Sequence, residues 1–228
     1  MRYLIIGLGI FGDNLARDLT DLGHEVIGAD CCQQRIDDIK DYISTVYLID
    51  STEETSLAVL PLRNVDVVVV AIGENFGASI RTVALLKKAG VTHIYARATD
   101  YIHESILQGF HIDRILTPEQ RAAADLTHEF ELGPGTRSMQ IDSERVVASF
   151  PAPRYFVGMA YTEFNLDKEF GISLVGASRP AKLTNVLGMD RTVLRPLTVS
   201  PAVCCEEGDF ITIFGRRKDI SALYRRIS

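Results

Sequence analysis

The residues whose types and spacing can do chemistry stand near the N-terminus, in the run Gly7-Leu8-Gly9-Ile10-Phe11-Gly12. A G-x-G-x-x-G pattern that follows an apolar strand-like run and opens a helix is the arrangement of a phosphate-binding turn. Gly7 permits the tight turn, Gly9 lets the backbone approach a phosphate, and Gly12 lets helix and strand pack closely. The helix that opens here, with Ile10 and Phe11 at its start, offers unpaired N–H groups and a positive dipole end. Asp30 follows Gly12 by eighteen residues, at the end of the second apolar run. Its carboxylate can accept from ribose hydroxyls and would repel a 2′-phosphate, which disfavours NADP.

The elements that must position these residues alternate. Strands are expected at Tyr3–Ile6, Glu25–Ala29, Thr45–Leu48, Val65–Ala71, His93–Ala96 and Arg114–Leu116. Helical patterns lie between them, for example Phe11–Leu22 and Ala78–Ala89, closed by Gly23 and Gly90. In the first helix Phe11, Leu15, Leu19 and Leu22 fall on one face. Strands alternating with helices imply right-handed crossovers and a parallel sheet covered on both sides. Val67-Val68-Val69-Val70 suits its buried centre. Six strands in this rhythm form a doubly wound α/β unit of the Rossmann type. Ligands of such sheets lie beyond the carboxyl ends of the strands. That places Asp50, Ser51 and Thr52 where an adenine ring would rest, although Ser51 with Glu54 reads equally well as a capping box. Ala71, Ile72 and Gly73 end the fourth strand with room for a ligand, or simply with a turn. Arg97 ends the fifth, where it is either a fork donor to phosphate or a solvated cation.

Thr117-Pro118-Glu119-Gln120 signals a further helix, running to about Glu131. Gly133-Pro134-Gly135 then punctuates the chain, so the first domain is expected over residues 1–133 and a second over 134–228. The second has strand patterns at Val146–Phe150, Ile172–Ala177 and Phe210–Phe214, a turn at Glu206–Asp209, and a closing helix from Lys218. It reads as a small α+β module, of a size that often gains stability by pairing with a copy of itself.

Composition removes several function classes. With 24 basic and 30 acidic side chains the net charge is −6, a poor match to nucleic acid. The longest apolar stretch, Val67 to Gly73, is far short of a bilayer span. The apolar run after Met1-Arg2 lacks a small-x-small cleavage site and is broken by Asp13 and Asn14, so it reads as a strand in a cytoplasmic protein. The cysteines form two adjacent pairs, Cys31-Cys32 and Cys204-Cys205, read as buried thiols in a reducing compartment. The five histidines are scattered and give no zinc spacing. A dehydrogenase needs an acid or base beside the hydride path. The second domain has no histidine, and its acids read as turn and surface residues. The basic cluster Arg216-Arg217-Lys218 with Arg225-Arg226 reads as cations on a terminal helix, or else as a face for acidic lipid or a partner.

The segment IIGLGIFGDNLARDLTDLGHEVIGAD resembles the start of an RCK domain (regulator of potassium conductance). The resemblance continues through DSTEE, VVVVAIGENFGASI, ARATD and DRILTPEQ, and DKEFGISLVGAS and EEGDFITIFGRRKDI are similar to the smaller C-terminal RCK module. It covers essentially the whole chain and is strongest to the stand-alone Trk/Ktr-type regulatory subunits. It implies a non-enzymatic cytosolic protein, peripheral at the inner membrane face, that assembles as a dimer or ring of dimers. The partner would be a membrane potassium channel or transporter subunit, gated by nucleotide binding. The resemblance assigns Gly7, Gly9 and Gly12 to the phosphates, Asp30 to the ribose, Asp50 and Thr52 to the adenosine side, and Arg97 to the phosphates. It also aligns Glu119 with an acid that in some relatives binds a divalent cation, a position that the helix dipole alone would favour for an acid. ATP-gated relatives carry an arginine within the turn where this chain has Ile10, which favours NAD(H), ADP or AMP over ATP. Asp167 stands where some relatives place a base for cyclic di-AMP, so that ligand is not expected. The stretch from Leu183 to Pro201 is longer than the resemblance accounts for. The alternatives at this point are a small NAD-dependent oxidoreductase and a nucleotide-binding adaptor for another transporter.

Overall fold

The alternation of apolar and amphipathic stretches folds as it reads. The structure is a computed structural model that describes residues 1–133, 135–184 and 190–227. The chain forms two compact units, Met1–Glu119 and Gln120–Ser228.

In the first unit six strands run in one parallel sheet: β1 (Arg2–Ile6), β2 (Glu25–Asp30), β3 (Thr45–Leu48), β4 (Val67–Val70), β5 (Ile94–Arg97) and β6 (Arg114–Leu116). Their order is β3-β2-β1-β4-β5-β6. The helices between them are α1 (Ile10–Asp21), α2 (Gln33–Ile39), α3 (Glu54–Leu57), α4 (Phe76–Lys88) and α5 (Tyr101–Gly109). Successive strand residues point to opposite faces, and both faces are covered. Leu4, Ile6, Val68 and Val70 belong to one apolar core, while Ile5, Val67 and Val69 belong to the other. The side chains of Asn75 and Asp100 cap α4 and α5 by accepting from the amides of Ala78 and His103.

The helix expected from Pro118 is α6 (Pro118–Leu132). The boundary read from Gly133-Pro134-Gly135 gives this helix to the first domain, whereas the compact units divide at Glu119/Gln120; Pro134 itself lies outside the described residues. From Gln120 onward the helix's side-chain partners fall in the second unit. His128 pairs with Ser138, and Ser221 donates to Glu131.

The second unit is an antiparallel sheet of β7 (Arg137–Gln140), β8 (Arg145–Pro151), β9 (Ser173–Thr184), β10 (Asp190–Leu197) and β11 (Phe210–Arg216), in the order β10-β9-β11-β8-β7. The helices α7 (Leu166–Phe170) and α8 (Arg217–Ile227) complete it. The unaccounted stretch from Leu183 to Pro201 contains β10, which pairs along β9 from residue 177 to residue 184. Residues 185–189 of that stretch lie outside the described ones. β7 and α7 were not expected either; each is short. Two further readings change. Cys31, Cys32 and Cys204 are exposed, and Cys205 alone of the four is buried; all four are free thiols. The terminal cations are largely paired, Arg216 with Asp219, Arg217 with Glu131 and Arg226 with Glu169.

Asp209, expected in a surface turn, is fully buried. Its Oδ1 accepts from Arg179 Nε at 2.7 Å. Its Oδ2 accepts from Arg179 Nη2 at 2.8 Å, the Tyr161 hydroxyl at 2.6 Å and the Glu206 amide at 2.8 Å. Burial pushes the Asp209 pKa up, but these donors outweigh it and hold the carboxyl below its ordinary value. A depressed carboxylate contributes stability above the unfolded pKa of about 4, and loses it as pH falls through the lower folded value. We expect Asp209→Ala to cost about 3–5 kcal/mol, because it strands a charged guanidinium and a buried hydroxyl. Urea denaturation followed by circular dichroism measures this. The same titration on the wild type, run downward from neutral pH, should show stability falling below about pH 4, with a smaller fall in the variant.

Candidate nucleotide site

The strand order reverses direction between β1 and β4, which opens a crevice at the carboxyl ends of the sheet. The turn after β1 lines it. Gly7 has φ +96°, a conformation that a side chain makes costly, and its amide donates to Ala29 O at 2.8 Å. A Cβ on Gly12 would lie 1.9 Å from Gly7 O and 3.3 Å from the Ala71 Cβ. No other residue lets α1 start this close to β1 and β4. Gly9 differs: a Cβ there would meet no heavy atom closer than Arg35 Nη1 at 4.0 Å, so the space above it is open. Gly9 stands at the N-cap of α1, whose first amides have no partner within the helix. The cradle therefore fits a phosphate group.

Asp30 ends β2 with its side chain 3% exposed. Its Oδ2 accepts from the Leu8 amide at 2.6 Å and its Oδ1 from the Cys32 amide at 2.8 Å. The acid assigned to ribose thus also pins the glycine turn, a role that spacing does not reveal. Oδ1 retains a lone pair for a ligand hydroxyl, while the second lone pair of Oδ2 faces Arg35. Arg35, in the first turn of α2, reaches the same oxygen at 3.5 Å and Glu74 at 3.4 Å. Sequence reasoning missed Arg35, because nothing marks an arginine five residues after the acid as facing the turn.

The other strand ends contribute unequally. Asp50 Oδ1 accepts from the amide and hydroxyl of Thr52, at 2.9 and 2.7 Å, and these bonds hold its carboxyl below the usual range. Ser51 turns inward and shares a hydrogen bond with Thr82 at 2.9 Å. The alternative capping box is not formed: α3 starts after Glu53, with no side chain capping it. Ala71 is buried, and the Ile72 amide lies 3.0 Å from where a Cβ on Gly7 would stand. Gly73 carries the Arg97 guanidinium, which comes within 2.5 Å of where a Cβ would be. Arg97 also pairs with Glu119 and lies 5.7 Å from the centre of the Phe11 ring. The structure thus brings Phe11, Gly73, Arg97 and Glu119 together. Ile10 projects into solvent, 89% exposed. Glu119, aligned with a cation-binding acid, is held by the Arg97 guanidinium in this structure. Among the described residues no group of three or more His, Cys, Asp or Glu side chains could hold a metal ion.

No helix among the described residues is long and apolar enough to cross a membrane. The chain is 26% identical to Ktr system potassium uptake protein A of Bacillus subtilis (strain 168), over 96% of this chain and 93% of that one. It is 28% identical to Ktr system potassium uptake protein C of the same organism, over 99% and 97%. Its fold is similar to the crystal structure of the GsuK RCK domain, with a TM-score of 0.66 at 14% identity, and spans 47% of that chain. The GsuK channel bound to NAD matches with a TM-score of 0.64, and this chain spans 39% of it. Residues 3–118, just over half of the sequence, match the TrkA-N domain, and the chain belongs to that family.

Proposed function

We propose that this protein is a cytoplasmic nucleotide-sensing regulatory subunit that gates a membrane potassium-uptake channel or transporter. The observation that carries the reading is the glycine turn. It holds Gly12 against Gly7, leaves the space over Gly9 open, and is pinned by the ribose acid. The similarity to the two Ktr proteins over nearly the whole length supplies the potassium-uptake context. The ligand is NAD(H), ADP or AMP. Its phosphates lie over Gly7, Gly9 and Gly12 at the start of α1, with Ile10 and Phe11 beside them. Its ribose meets Asp30, and its adenosine side lies toward Asp50 and Thr52. The ends of β4 and β5, at Ala71, Ile72, Gly73 and Arg97, close the far side.

In this reading the protein performs no turnover, acts as a homo-oligomer and binds its partner at the inner membrane face. A ligand can shift an equilibrium between two arrangements only through contacts that differ between them. Arg97 is where such a difference arises. It ties the end of β5 to Glu119 in the first turn of α6, and a phosphate that recruits Arg97 competes with that tie. The cleft then biases the helix that leads into the second unit.

A thermal-shift panel tests the reading. NADH or ADP at a hundred times its Kd should stabilise the folded protein by about 2.7 kcal/mol, while NADP should shift it less. No shift with any of these would overturn the assignment, and NADH absorbance that falls with carbonyl substrates would favour an oxidoreductase instead. Gly9→Ala provides the sharper site test. The new methyl meets no atom within 3.9 Å and Gly9 has an ordinary φ of −68°, so the free protein should melt as the wild type does. The same methyl stands where the phosphate must approach, so the ligand-induced shift should vanish. A Gly9→Ala protein that still responds to nucleotide would move the phosphates away from this turn.

A further inference from the structure

The turn itself supplies no cation, since it reads Gly-Leu-Gly-Ile-Phe-Gly, and its three non-glycine residues, Leu8, Ile10 and Phe11, are apolar. Arg97 is already committed to Glu119, Gly73 and the Phe11 ring. Arg35 stands differently. Its Nη1 lies 4.0 Å from where a Cβ on Gly9 would be, over the open middle of the turn. Both of its ion pairs are long, 3.5 Å to Asp30 Oδ2 and 3.4 Å to Glu74. Glu74 belongs to the loop after β4 and its side chain is 89% exposed, so this pair is solvated and weak. The cleft thus contains a cation aimed at the phosphate position and restrained on its outer side by a carboxylate that binds nothing else among the described contacts.

We propose that Arg35 is a second phosphate-binding cation of this cleft, beside Arg97, and that Glu74 is its competitor: the phosphates of a nucleotide displace Glu74 from the guanidinium. Arg35 then bridges Asp30, at the ribose, to the phosphates, at the turn. The exchange favours the ligand, because a guanidinium–phosphate pair is charge-assisted and planar-matched, whereas the existing pair is long and wet. It also answers the sequence argument from Ile10. The cation absent from the turn is provided from α2, so the charge of the phosphate group still counts toward affinity. The proposal rests on the nucleotide reading above and adds to it the residue pair that sets how strongly phosphate charge is felt.

Calorimetric titration of ADP, NADH and adenosine into the wild type and four variants tests it. Arg35→Gln should weaken ADP by about tenfold or more, the usual loss when a charged hydrogen-bond donor is removed. Arg35→Lys should recover part of that loss, since it restores the charge without the fork. Glu74→Gln should tighten ADP by about 1.5- to fivefold, the worth of an exposed ion pair that no longer has to be broken. In the Arg35→Gln background the same Glu74→Gln change should do nothing, because the competition is gone. NADH, with less phosphate charge, should respond in the same directions but less, and adenosine should not respond. Asp30 keeps its two amide donors in every variant, so the free proteins should melt alike. Glu74→Gln that leaves ADP affinity unchanged or lowers it, or Arg35→Gln that binds ADP as tightly as the wild type, would overturn the exchange. Should Arg35→Gln fail to fold, Glu74→Gln and Arg35→Lys decide the matter alone. A wild type that binds neither ADP nor NADH would instead bring down the nucleotide reading, which separates the two failures.

Discussion

The first unit depends on how closely α1 starts against the sheet. Gly7 O occupies the space where a Cβ on Gly12 would be, so the helix can begin immediately after β1 and aim its first amides over the crevice. That contact has no slack. A backbone carbonyl cannot move aside as a long side chain can, and interiors of this density transmit any displacement. The Asp30 carboxylate then locks the turn from β2 by accepting from the Leu8 amide, so two neighbouring strands and one helix are fixed by a contact and a hydrogen bond. The four-valine strand on the other side completes the clamp: its continuation, Ala71 and Ile72, packs against both glycines. Small residues at these points follow from that geometry.

Much of this was legible in the sequence, and the reasons differ by residue. The glycine turn, Asp30 and the six strands show because each is a local signal: a spacing, a run of β-branched residues, a periodicity. Strand ends shifted by a residue or two. Val65, for instance, falls outside β4 because Leu62–Asn64 forms a short helical turn ahead of it. Arg35 was not legible, since its position over Gly9 depends on how α2 leaves β2. Ser51 read as either a ligand contact or a cap; it caps nothing, and its hydroxyl is shared with Thr82, a pairing across thirty-one residues that no local spacing announces. The edge strand β10 was hidden by Arg195 and Pro196, which weaken a strand pattern but are tolerated at a sheet edge.

The second unit is organised around a buried ion pair rather than a turn. Asp209 ends a surface-looking Glu-Glu-Gly-Asp sequence, yet it collects Arg179 from β9, Tyr161 from a short helical turn and the Glu206 amide from its own loop. A sequence cannot announce this, because the arginine lies thirty residues away. A buried charge is tolerable only when its lone pairs are filled and its partner is close, and here both conditions hold. The aromatic cluster of Phe156, Tyr161 and Phe164 then packs around the unit's core. The same residue, Tyr161, therefore serves the polar anchor and the apolar core from a 3₁₀ turn of only three residues.

The cleft shows a common pattern in its charges: each cation that faces it is already matched by a carboxylate, Arg35 by Asp30 and Glu74, Arg97 by Glu119. A site with bare cations would bind any polyanion and would cost stability through their mutual repulsion. A self-neutralised site binds only what can replace a carboxylate with something better placed, and the affinity is the difference between two pairings rather than the strength of one. The carboxylates released are not equivalent. Glu74 sits on a loop and its release changes nothing beyond it, whereas Glu119 sits in the first turn of α6. On the proposed reading, phosphate charge felt through Arg35 sets how tightly a nucleotide is held, and charge felt through Arg97 sets what its binding does to the helix. Affinity and response are thus assigned to different arginines on opposite sides of one glycine turn, and a nucleotide can be sensed without being held so tightly that it never leaves.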